Sequence, residues 1–83
     1  MEAEINNIRR QINNLRKEMN LKFSNKVSII FENNNFWGEI NPELIKKLSD
    51  RLNTEIKFVD NLDEYKVIET FTGNQLKVLI INL

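Results

Sequence analysis

The groups in this sequence that can do chemistry are carboxylates, hydroxyls and one phenol. Histidine and cysteine are both absent from the 83 residues, which removes the commonest near-neutral base, the commonest metal ligand and every thiol nucleophile together. Ser28, Ser49, Thr70, Thr72 and Tyr65 supply hydroxyls, and Glu39 and Glu69 supply carboxylates. None of them falls in a spacing that fixes a nucleophile against a base. With Gly38 and Gly73 as its only glycines, the chain has no phosphate-cradling glycine loop. Asp60, Asp63 and Glu64 cluster in sequence but lack the alternating spacing and distal glutamate of a calcium loop. They read as solvated charges in a strand connection, or as a face for the basic helix of another copy. The expectation is a non-enzyme with no catalytic residue, no metal site and no cofactor.

Recognition is the chemistry that remains. The only tryptophan, Trp37, stands between Phe36 and Gly38 in a stretch otherwise rich in asparagine. Exposed, Trp37 with Phe36 would anchor a protein interface, Glu39 would add a rim charge and Gly38 would allow a tight bend. Folded back, the same indole would cover one end of a small core. A second candidate is basic: Arg9, Arg10, Arg16, Lys17, Lys22 and Lys26 are offset over that span only by Glu18. A nucleic-acid reading puts Arg9, Arg10, Arg16 and Lys17 on phosphates. Against it, 12 basic and 12 acidic residues cancel overall, and the stripe is interleaved with asparagine and not with aromatics.

The elements that must position these residues begin with an N-terminal helix. Ile5, Ile8, Ile12, Leu15 and Met19 recur at intervals of three and four, an a/d seam that suits another helix better than a sheet. In a parallel pair, Glu4 would reach Arg9 of the neighbouring chain and Gln11 would reach Arg16. The seam predicts self-association, a dimer first with a trimer or tetramer open. It also divides the chain into an oligomerisation helix, residues 1–22, and a body, residues 26–83, joined by a short polar link. The same stripe lying on the chain's own sheet is the competing reading.

Within the body, residues 27–31 form a β-branched strand with Val27, Ile29 and Phe31 on one face. Asn41-Pro42-Glu43 opens a helix by capping, preset φ and favourable charge. Leu44, Ile45, Leu48 and Leu52 give it a buried face, Lys46, Lys47, Asp50 and Arg51 point to water, and Asn53 ends it. A strand over residues 55–59 follows, and strand, helix and strand imply a right-handed crossover between parallel neighbours. Residues 65–71 and 75–83 flank Thr72-Gly73-Asn74 as a hairpin. Its last strand is apolar on both faces, which predicts an interior strand covered on each side. The whole reads as an α+β domain, in the order α-β-α-β-β-β, with a four-stranded mixed sheet.

The residues together predict a small cytoplasmic protein-interaction module, a self-associating adaptor or inhibitor that binds another protein. No stretch approaches the roughly 18 apolar residues of a membrane span, and the first residues lack the apolar core of a leader. A regulatory or accessory role, including that of a viral or mobile-element protein, fits such a chain by association only. The second reading is a nucleic-acid accessory protein whose oligomer aligns the basic helices into one surface.

Overall fold

The computed structural model describes residues 2–22 and 25–83. Residues 23 and 24 of the expected polar link lie outside the described residues. The chain is a small α+β domain with the elements α1 (Glu2–Glu18), β1 (Val27–Glu32), α2 (Asn35–Glu39), α3 (Pro42–Leu52), β2 (Ile56–Val59), β3 (Lys66–Glu69) and β4 (Gln75–Asn82). The sheet order is β2-β1-β4-β3. β1 and β2 are parallel, joined by α3, while β4 runs antiparallel to both β1 and β3. The expected order, the crossover and the hairpin are all present, with α2 as one short additional helix.

Local chemistry sets the boundaries. Asn41 Oδ1 accepts from the Glu43 N–H, and Asn53 closes α3 in the left-handed region at φ 54°. There the Thr54 N–H reaches back to the Ser49 carbonyl, which supplies the last turn with a donor. Asn20, at φ 59°, ends α1 in the same way, with the Leu21 N–H on the Arg16 carbonyl. Gly73 holds φ 88° in the hairpin turn, where a β-carbon is disfavoured. The buried Thr70 hydroxyl accepts from the Asn74 N–H beside it.

One core serves every element. Val27, Ile29 and Phe31 of β1, Leu76, Val78 and Ile80 of β4 and Ile68 of β3 turn to one face of the sheet. They meet Leu48 and Leu52 of α3 and Ile5, Ile8 and Ile12 of α1 there. Those three isoleucines are 0% exposed within the single chain. This corrects the seam expected to pair copies: the stripe docks on the chain's own sheet and α3, because a four-stranded sheet with one crossover helix leaves room for a second helix beside it. Leu15 packs at the margin of the core, and Met19 lies beyond the helix end, 41% exposed. α1, placed within the expected oligomerisation helix of residues 1–22, accordingly shares one core with the elements of residues 26–83.

α1 and α3 occupy the same side of the sheet, so helices give β4 cover on one side only. Arg51, expected in water, ties them: its guanidinium donates to Asn6 Oδ1 and to Glu2 Oε1. That hydrogen bond, with the nearby charges of Lys47 and Arg51, holds the Glu2 carboxyl below its ordinary value. The opposite face carries Ile30, Leu79, Ile81, Val67, Glu32 and Lys77. It is crossed by the connection between β2 and β3, where the Leu62 N–H donates to Glu32 Oε1 at 2.9 Å. Lys77 pairs with Glu32 at 3.4 Å and stands over the Tyr65 ring. No helix among the described residues is long and apolar enough to cross a membrane.

Candidate protein-interaction site

Trp37 is positioned by the asparagine run. Asn34 Oδ1 accepts from the Phe36 N–H at 2.6 Å and starts α2, while Asn34 Nδ2 donates to the Gln75 carbonyl at the start of β4. Asn33 Nδ2 holds Asp60 across the end of β2. The asparagine-rich stretch is thus a capped helical turn that points its aromatics inward. Trp37 is 6% exposed, with its ring centroid 4.6 Å from Phe31, 5.1 Å from Phe36 and 5.3 Å from Phe58. Phe36 is buried beside it and Glu39 is exposed. Of the expected anchors, then, both aromatics belong to the core and only the rim charge is at the surface. The indole N–H is buried and has no hydrogen-bond acceptor among the described residues; Trp37 packs against aromatic rings, whose faces accept weakly.

The outer surface of this corner is a shallow cavity of about 310 Å³ lined by Asn33, Asn34, Trp37, Gly38, Ile45 and Phe58. A β-carbon on Gly38 would meet nothing within 4 Å, so the cavity extends over that residue. Its walls are an indole, a phenyl ring and an aliphatic side chain, with the amides of Asn33 and Asn34 at one side. That composition fits an apolar side chain entering from outside.

The cavity adjoins the free edge of β2, and the two edges of the sheet differ. On β3, the Gln11 side chain donates to the Glu69 carbonyl at 2.7 Å and accepts the Glu69 N–H at 3.0 Å. The buried Glu4 carboxylate accepts the Phe71 N–H with both oxygens at 3.1 Å. Side chains of α1 therefore take the place of a fifth strand along Glu69 and Phe71. Glu4 and Gln11, expected to reach a neighbouring chain, make these bonds within this one. On β2, the Val59 carbonyl accepts from the Asn33 N–H beyond the end of β1, so Val59 and, by alternation, Lys57 face β1. Ile56 and Phe58 then present their N–H and C=O groups outward, and no side chain among the described residues bonds to them.

The basic stripe is not brought together. Arg16 is 3% exposed, and its guanidinium donates to the carbonyls of Leu52, at the end of α3, and Asn25, where a cation offsets the negative end of the helix. This corrects its expected role on phosphate: Arg16 is a structural cation inside the domain. Arg10 and Lys17 are exposed and Arg9 is half-buried. Among the described residues, no three acidic side chains converge as a cation site would require, and Asp60 serves as the acceptor for Asn33.

No protein-family model, no curated protein and no solved structure matches this chain.

Proposed function

We propose that this chain is a non-catalytic protein-interaction module, an adaptor or inhibitor working in the cytoplasm, and that it takes hold of another protein at the corner formed by Trp37, Gly38, Ile45 and Phe58. The observation that carries this reading is the apolar cavity beside an unpaired sheet edge. Aromatic walls fixed by packing give a partner's side chain a preformed seat, so little ordering is required at binding. The core closes without disulfides, as work in a reducing compartment requires.

Gly38→Leu tests the reading, because it puts a branched side chain on a residue that lines the cavity, at a position where a β-carbon meets no obstacle. Immobilised wild-type chain should retain a partner from its native lysate that the folded Gly38→Leu chain loses by tenfold or more, equivalent to about 1.4 kcal/mol. A partner retained equally by both chains would move the interface away from this corner.

A further inference from the structure

We infer that the segment entering the Trp37 cavity is cationic: an apolar side chain of another protein fills the cavity while neighbouring lysine or arginine residues meet Glu39 and Asp60. This deepens the proposed function and rests on it. Both carboxylates stand at the cavity. Glu39 follows Gly38, a lining residue, at the end of α2. Asp60 follows the last residue of β2 and accepts at 3.0 Å from Nδ2 of Asn33, which also lines the cavity. Both are exposed, and neither makes an ion pair among the described residues.

The charge of this end of the molecule has one sign. β1 and β2 finish here and the hairpin between β3 and β4 turns here. The segments that meet, residues 32–43, 59–61 and 69–75, contain Glu32, Glu39, Glu43, Asp60 and Glu69 but no lysine or arginine. Glu43 answers the positive end of α3, and Glu32 pairs with Lys77. Glu39, Asp60 and Glu69 remain. The cations next in sequence to the lining residues lie on other faces. Lys46 is roughly 100° further round α3 than Ile45. Lys57 is on the opposite face of β2 from Phe58, and Glu55 stands beside it there.

This pattern selects among occupants. Among the described residues no three acidic side chains converge on one point, so a single metal ion finds no seat. Separate carboxylates beside an apolar hollow instead match separate cationic side chains around an apolar one. Nucleic acid and anionic lipid meet repulsion from the same carboxylates. A second copy is a poor match, because the far end of the domain sets Glu18, Asp50 and Glu55 among Lys17, Lys22 and Lys26, all exposed. The remaining cation of that end, Arg16, is inside the domain.

The test is a selection of nine-residue random peptides displayed on phage against the 83-residue chain, followed by affinity measurement with the synthetic peptides recovered. These should share an apolar residue with lysine or arginine close to it, bind more weakly as salt is raised, and be lost on Gly38→Leu. The double variant Glu39→Gln, Asp60→Asn keeps an acceptor for Asn33 and should unfold at the wild-type denaturant midpoint. It should bind the peptides about fivefold more weakly, the worth of two exposed ion pairs. The control Glu18→Gln, Glu55→Gln changes the net charge equally at the far end and should bind them as the wild type does. Peptides without basic residues, equal binding by the Glu39 and Asp60 variant, or equal losses in both double variants would overturn the inference. So would a selection that enriches nothing. Should Gly38→Leu still release the lysate partner in any of these cases, the interaction site stands and only the cationic occupant fails. A wild-type solution mass that rises with concentration, and does so no longer in the Glu39 and Asp60 variant, would overturn the choice of occupant in favour of a second copy.

Discussion

Trp37 is a recognition residue by type and a core residue by position. A surface anchor would need its ring free, whereas here three phenyl rings surround it and its outer side forms a cavity wall. Its buried indole N–H has no acceptor among the described residues, and such a group destabilises a fold by about 1–3 kcal/mol when nothing compensates it. Two substitutions separate area from polarity. Trp37→Ala should destabilise by about 3–5 kcal/mol through lost packing. Trp37→Phe loses part of the area but also removes the unpaired donor, so its net cost should be within about 1 kcal/mol. Urea unfolding of both variants, followed by circular dichroism, checks the difference. Equal losses would mean that the indole N–H has an acceptor in solution. The sequence allowed both positions for Trp37, since a lone aromatic pair carries no periodicity to say which way it turns. Asn34 decided it by capping α2, and the side-chain bond from Asn34 to β4 was beyond what adjacency can show.

At the scale of elements, punctuation residues were the legible part. Asn41-Pro42, Asn53 and Gly73-Asn74 each act through local backbone geometry, and each appears where the sequence placed it. The destination of α1 was not legible, because an a/d stripe records only that one face needs cover and both a helix and a sheet supply cover. Gln11 shows the same limit for a polar residue. It reads as an outward position of a helix, yet it bonds both main-chain groups of Glu69, a contact 58 residues away in sequence. An edge strand left with free groups invites another chain, so Gln11 protects β3 as well as stabilising it. Gln11→Ala should reduce stability by about 1–2 kcal/mol, the worth of two partly exposed hydrogen bonds. It should raise the exchange rate of the Glu69 amide far more than that of Ile68, whose N–H faces β4. Equal acceleration at both would indicate general loosening of the hairpin instead of an uncapped edge.

For the molecule as a whole, the decisive question is whether α1 is an assembly device or part of the fold. A chain of this length has a net stability of roughly 4–12 kcal/mol at the usual value per residue. Each isoleucine fully withdrawn from water contributes about 1.5–3 kcal/mol, and Ile5, Ile8 and Ile12 are all fully withdrawn. The helix therefore supplies a large share of the margin, and a body that began after it would leave the sheet's apolar face in water. Ile12→Asp tells the two roles apart. If α1 paired copies at its surface, the substitution would lower the solution mass and leave a folded monomer. With Ile12 in the core, an unpaired carboxylate is forced into an apolar interior, at a cost above about 4 kcal/mol. The expected outcome is loss of the circular-dichroism unfolding transition, while the wild-type chain remains at its 9.9 kDa mass by light scattering across a concentration series. A folded Ile12→Asp chain of half the wild-type mass would instead return α1 to the interface between copies and free the sheet face beneath it for another role.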